Sequence, residues 1–239
     1  MGEQVLRPIE EFREIIGQLR NLMAANREMG LEPPLLSQST LNYLQAGAAQ
    51  IHTLEDLRGF IGDCTRCKLW RDRTNLVFGE GSSEADLVFV GEAPGREEDL
   101  AARPFVGEAG RLLTRIIENG MGLTRDQVYI CNVLKCRPPK NRDPEADEIH
   151  ACIPFLKKQL ELINPRVICI LGRVAGQELL GKDLKITWER GNWHSFMDIP
   201  VMPTYHPAYI LRNPSAKRHV WEDIQKIMRH LGLEVKKNG

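Results

Sequence analysis

From residue 87 onward the chain carries four short, nearly continuous apolar runs: Leu87–Val90, Val128–Val133, Val167–Leu171 and Pro200–Thr204. Runs without polar alternation mark strands covered on both faces, as in a parallel sheet flanked by helices. Between the runs, apolar positions recur at three- and four-residue spacing: Leu112, Leu113, Ile116 and Ile117, then Ile149, Ile153, Leu156, Leu160 and Ile163, then Val174, Leu179 and Leu180. Each group makes one face of a helix, and a last helix is predicted near His219–Leu231. Strand and helix in alternation predict an α/β fold with right-handed crossovers: three α/β/α layers around a central, mainly parallel four-stranded sheet.

The first 50 residues read differently. Ile9, Phe12, Ile15, Ile16, Leu19, Leu22 and Met23 line one face of a helix ending near Gly30, and Glu32-Pro33-Pro34 stops it and acts as a stiff linker. A short helix is expected over Thr40–Gln45, and another begins at Thr53, where Thr53 and Asp56 form a capping-box pattern. The expected organisation is a helical extension over 1–50, the α/β domain over 51–234 and a tail over 235–239.

Composition narrows the function classes. The longest strongly apolar runs are far shorter than the roughly 18 residues that cross a bilayer, and MGEQVLRPIEEF lacks a basic segment followed by an apolar one. The expectation is a cytoplasmic protein with no membrane partner, whose cysteines are reduced or bound to metal. With 32 basic against 32 acidic residues, a nucleic-acid partner requires locally gathered charge. Lys135, Arg137, Lys140 and Arg142 form one such group; Arg212, Lys217, Arg218 and His219 form another.

Of the six cysteines, Cys64 and Cys67 make a C-x2-C turn, while Cys136 and Cys152 have 15 residues between them. Four thiolates suit either a tetrahedral zinc or a [4Fe-4S] cluster, and spacing does not choose between the two. Cys131 and Cys169 fall inside apolar runs and read as core residues.

The unusual residues fall where strands end. Gly91-Glu92-Ala93-Pro94-Gly95 follows the first run, Asn132 closes the second, Gly172 follows the third and His206-Pro207 follows the fourth. Ligands of open parallel sheets bind outside the carboxyl ends of strands, so these groups are expected to meet in one crevice. The loop is neither a Walker loop nor a dinucleotide fingerprint, and the acids Glu97-Glu98-Asp99 disfavour a phosphate cradle. Glu92 is a candidate carboxylate at the crevice mouth, and Phe105, between Pro104 and Gly107, is either a stacking ring or core.

Together GEAPGREED at 91–99, RPFVG at 103–107, YICNVLKCRPPKNRDP at 129–144 and YHPAYILRNP at 205–214 resemble the family 4 uracil-DNA glycosylases, the iron–sulfur branch of that superfamily. The resemblance spans roughly residues 54–231. It implies a DNA-repair enzyme that flips uracil out of single- or double-stranded DNA and hydrolyses its glycosidic bond, leaving an abasic site. It further implies that Glu92, Asn132 and His206 are catalytic. Phe105 would stack on uracil, Asn132 would read its pairing edge, and His206 would donate to O2 as the base leaves as an anion. Gly91 and Ala93 would complete the uracil contacts. Glu98 would guard the C5 side, hold water, or cap the following helix. Lys135, Arg137, Leu211 and Arg212 would meet DNA, with Leu211 entering the duplex. Cys64, Cys67, Cys136 and Cys152 would hold a [4Fe-4S] cluster. VLKCRPPKNRDP lacks the histidine by which a related branch traps the abasic sugar, so a monofunctional hydrolase is implied. The competing class is a noncatalytic, metal-stabilised nucleic-acid-binding module. The resemblance leaves residues 1–50 aside, and they are a candidate contact for a protein partner.

Overall fold

The computed structural model describes residues 51–181 and 183–235. The helices expected before residue 50 and the last four residues of the tail lie outside them. Helices α1 (Leu54–Ile61), α2 (Arg96–Ala101), α3 (Glu108–Arg115), α4 (Ala146–Ile163), α5 (Arg173–Leu180), α6 (Ile186–Glu189), α7 (Pro207–Arg212) and α8 (Lys217–Leu231) surround a sheet. Its strands are β1 (Glu80–Gly81), β2 (Leu87–Gly91), β3 (Tyr129–Asn132), β4 (Val167–Leu171), β5 (His194–Phe196) and β6 (Ile199–Thr204), in the order β1-β3-β2-β4-β6-β5.

The four inner strands are parallel and match the four apolar runs to within one residue at either end. The sheet has six strands rather than four because β1 adds antiparallel to β3 and β5 adds antiparallel to β6. Two and three residues long, these edge strands are too short to carry a readable pattern and exist only by pairing with the buried strand beside them. Helix α1 starts as expected: the Thr53 side chain accepts the Asp56 N–H, and the Asp56 carboxylate accepts the Thr53 N–H.

Side chains of a strand alternate between faces, and β2 does this with apolar residues on both sides. Val88 and Val90 pack with Leu57 and Ile61 of α1, Phe155, Leu156 and Leu160 of α4, and Leu179 of α5. Leu87 and Phe89 pack with Leu112 and Leu113 of α3 and with Ile224, Ile227 and Met228 of α8. This is the three-layer arrangement that continuous apolar strands require. No helix among the described residues is long and apolar enough to cross a membrane.

Phe89 lies fully buried in the strand on which both layers close. Phe89→Ala is expected to cost about 3–5 kcal/mol, read as a lower urea midpoint with an unchanged slope. An unchanged midpoint would contradict close packing of this layer.

Candidate active site and cysteine centre

β2 is the strand at which chain order reverses, with β3 on one side and β4 on the other. Such a switch point opens a crevice at the carboxyl ends of the strands. A cleft of about 770 Å³ lies there, lined by Glu92, Ala93, Glu98, Phe105, Asn132 and His206, with Arg142, Tyr209 and Arg212 at its border. The structure therefore brings together residues that are 114 positions apart in sequence, from Glu92 to His206.

Gly91 is paired in register with Asn132 across β2 and β3. A Cβ at Gly91 would collide with Asn132 Oδ1 and stand 2.5 Å from Phe105 Cζ, so the missing side chain is what lets the amide and the ring converge. Phe105 adopts φ 51°, the left-handed region that bulky residues seldom enter. Gly110 makes room for that backbone, since a Cβ there would strike the Phe105 carbonyl group. The Phe105 ring is 6% exposed and lies 5.6 Å from the His206 ring, tilted by 34°. It thus serves both readings of the sequence, packing into the core and presenting an edge of the cleft.

Asn132 is 2% exposed, and its Oδ1 is buried without a hydrogen-bond partner. A buried acceptor left unpaired is costly, and such atoms gather where a ligand completes them. His206 is the N-cap of α7; its Nδ1 accepts the Ala208 N–H at 3.1 Å. With Nδ1 accepting, a neutral imidazole carries its proton on Nε2. Burial, reinforced by Arg212, lowers the His206 pKa to about 4, so the ring is a neutral donor at pH 7. Burial raises the Glu92 carboxyl above its ordinary range, Asp143 adds to this, and Arg173 partly offsets it.

Glu98 Oε1 accepts the N–H groups of Val106 and Gly107 at 3.0 and 2.9 Å. Those amides lie just before the first turn of α3, so the carboxylate fastens the Phe105 loop where the chain enters that helix. Asp99, which no sequence motif assigns a role, is 3% exposed and accepts the N–H groups of Thr74 and Asn75, tying that loop to α2. Its only sequence signal is an acid on the inner side of a short helix.

The DNA-facing expectations divide. Arg212 is exposed at the cleft border, and Leu211 is half-buried against the core. Arg137 is half-buried and donates to Asn141 Oδ1 at 2.7 Å. Lys135 is a correction: it is 1% exposed and cannot reach a phosphate. Its Nζ donates to the Asn132 carbonyl at 2.7 Å and to Gln159 Oε1 at 2.6 Å, bracing the end of β3 from inside. Burial lowers its pKa. Arg142 reaches the cleft with its charge already paired to Glu148 at 2.9 and 2.5 Å.

Cys64, Cys67, Cys136 and Cys152 line one small cavity, together with Ile61, Leu76 and Phe155. Their sulfurs are spread around it; among the described residues no three His, Cys, Asp or Glu side chains are spaced to hold a single ion. Arg66 donates to Cys64 Sγ at 3.3 Å, Arg73 to Cys136 Sγ at 3.2 Å, and the Lys135 N–H to Cys152 Sγ at 3.3 Å. Burial pushes the Cys136 thiol up to about 11 and that of Cys152 up to about 12, so without a metal both stay protonated at neutral pH. Four sulfur donors in an apolar cavity, with N–H groups already aimed at them, fit a thiolate-bound metal centre. Cys131 and Cys169 are fully buried in β3 and β4.

Residues 78–225 match the family model of the uracil DNA glycosylase superfamily. A type-4 uracil-DNA glycosylase of Sulfurisphaera tokodaii is 48% identical over 77% of this chain and 87% of its own. One of Saccharolobus solfataricus is 47% identical, covering 70% and 82%, and one of Thermotoga maritima is 48% identical, covering 74% and 95%.

The His206 environment generates a direct test. In a nitrogen-resolved NMR titration its imidazole is expected to stay neutral, with the proton on Nε2, until the pH approaches about 4. A midpoint at the ordinary imidazole value of 6.5 would contradict the buried, Nδ1-accepting geometry.

Proposed function

The chain belongs to the type-4 uracil-DNA glycosylases of the uracil-DNA glycosylase superfamily, and from that premise we infer how its own residues excise uracil from DNA during repair. The observation that carries the reading is the unpartnered Oδ1 of Asn132 at the cleft. The Oδ1 accepts the N3–H of a flipped uracil, and the Asn132 amide donates to O4. Cytosine, with an unprotonated N3 and an amino group at C4, matches neither position. Phe105 stacks on the base, and the loop at Gly91 and Ala93 packs along it.

Breaking the C1′–N1 bond leaves negative charge on the uracil and positive charge on the sugar. His206 Nε2–H donates to O2, where the anion develops; a neutral donor held in place stabilises it without giving up a proton. The Glu92 carboxylate orients a water molecule at C1′ and takes its proton as the C1′–O bond forms; uracil leaves with the C1′–N1 electron pair as its anion, to be protonated from solvent, and an abasic site remains. Glu98 keeps the loop of Phe105 closed on the C5 side. Arg137, Leu211 and Arg212 meet the DNA around the extruded nucleotide, Arg212 at phosphate.

We propose that Cys64, Cys67, Cys136 and Cys152 bind a [4Fe-4S] cluster. Its role is structural: when bound, it ties the Cys64–Cys67 turn to α4 and to the segment after β3 that carries Arg137 and Arg142. The donor hydrogen bonds from Arg66 and Arg73 support this, because a thiolate-bound cluster carries net negative charge.

Activity and metal content test these assignments. A labelled oligonucleotide with one uracil should break only after alkali, and only at uracil. Glu92→Gln should slow release about 10²–10⁴-fold while binding the same DNA. In the wild type the rate should fall as pH drops through the raised Glu92 pKa, because the base form is the active one; His206 remains neutral until about 4. Retention of the acid limb by Glu92→Gln would remove Glu92 from the role of base. Separately, purified protein should contain iron and acid-labile sulfide that Cys136→Ser loses; a colourless, zinc-filled protein would overturn the cluster assignment.

A further inference from the structure

Phe105 holds an unfavourable backbone angle, and Glu98 fastens only the amides that follow it. Behind the loop lies Arg125, whose side chain is 16% exposed and which does not line the cleft. Its Nη1 donates to the Phe105 carbonyl at 3.1 Å and to Thr114 Oγ1 at 2.9 Å, and its Nη2 to the Pro104 carbonyl at 2.8 Å. Its Nε and Nη2 both donate to Glu80 Oε1, at 2.8 and 2.7 Å. Glu80 is held in turn by Arg103, whose Nε donates to Oε2 at 2.7 Å. One planar guanidinium therefore spans the edge strand β1, helix α3 and the two carbonyls that precede the turn into α3. An ammonium group, with a single donor point, cannot span that fork.

We propose that Arg125 is a positioning residue for uracil excision, fixing the Pro104 and Phe105 carbonyls so that the Phe105 ring stands preformed over Gly91 and beside His206. The proposal deepens the reading of the cleft and rests on Phe105 being the stacking platform. Burial alone would raise the Glu80 carboxyl, but its hydrogen bonds with Arg103 and Arg125 outweigh that and keep it below the ordinary range, which preserves the anchor's charge. Arg125 acts only through Phe105, and this separates positioning from a general contribution to folding.

The experiment measures single-turnover excision from a single-stranded uracil oligonucleotide and the dissociation constant of the thymine-containing equivalent. It compares the wild type with Phe105→Ala, Arg125→Lys, Arg125→Ala and the double variant Phe105→Ala/Arg125→Ala, each checked by thermal unfolding. Arg125→Ala is expected to slow excision about 10–100-fold, Arg125→Lys less, with thymine-oligonucleotide affinity unchanged. The double variant should be no slower than Phe105→Ala alone, because the guanidinium then has no ring to position. If Arg125→Ala does not fold, Arg125→Lys and its double variant with Phe105→Ala carry the test. Wild-type rates in the folded Arg125 variants, or losses that multiply in the double variant, would overturn the proposal while leaving the stacking role standing. A wild-type rate in Phe105→Ala would overturn the stacking role, and the proposal with it.

Discussion

At the carboxyl end of β2 the backbone of Gly91 is covered directly by the Phe105 ring and the Asn132 amide, and a single methyl group there would collide with both. The cleft depends on this close approach. Asn132 arrives because β3 pairs in parallel register with β2. Phe105 arrives because Gly110 admits its backbone and Glu98 holds the next two amides. His206 arrives from the end of β6. Parallel strands end on one side of the sheet, so three separate segments meet without any one of them being long.

Removal from water gives these groups their chemistry. The same burial that leaves Asn132 Oδ1 without a partner holds His206 neutral and raises Glu92. A donor that stays neutral and a base that accepts a proton more readily are both consequences of desolvation. A buried acceptor left unpaired costs folding energy, and on the proposed reading a ligand N–H at Asn132 Oδ1 would restore it. Lys135 extends this logic inward, spending a buried cation on the Asn132 carbonyl and Gln159 to hold the end of the strand that presents the amide.

The cysteine centre and the cleft share the segment after β3. Cys136 belongs to the cavity of thiols, while Asn132 before it and Arg142 after it line the cleft. The ion pairs of Arg142 with Glu148, and of Lys68 with Glu145, Asp147 and Glu148, join the C-x2-C segment, this loop and the start of α4. Packing at the cysteine cavity is thereby linked to the wall of the cleft.

The amino-acid sequence alone determined the α/β order, the four inner strands, the Thr53 cap and the four motifs at strand ends. Those features follow from local periodicity and turn chemistry, which the chain carries wherever it lies. It also carried the resemblance that named Glu92, Phe105, Asn132 and His206. Only the tertiary structure decided that β1 and β5 pair at the edges, that Glu98 holds the amides of Val106 and Gly107, and that Lys135 points inward although it belongs to a basic stretch. Arg125 shows why: all five of its hydrogen bonds go to residues from 11 to 45 positions away. Partners at such distances leave no periodic trace, because burial and pairing of polar groups are set by which surfaces the sheet brings together.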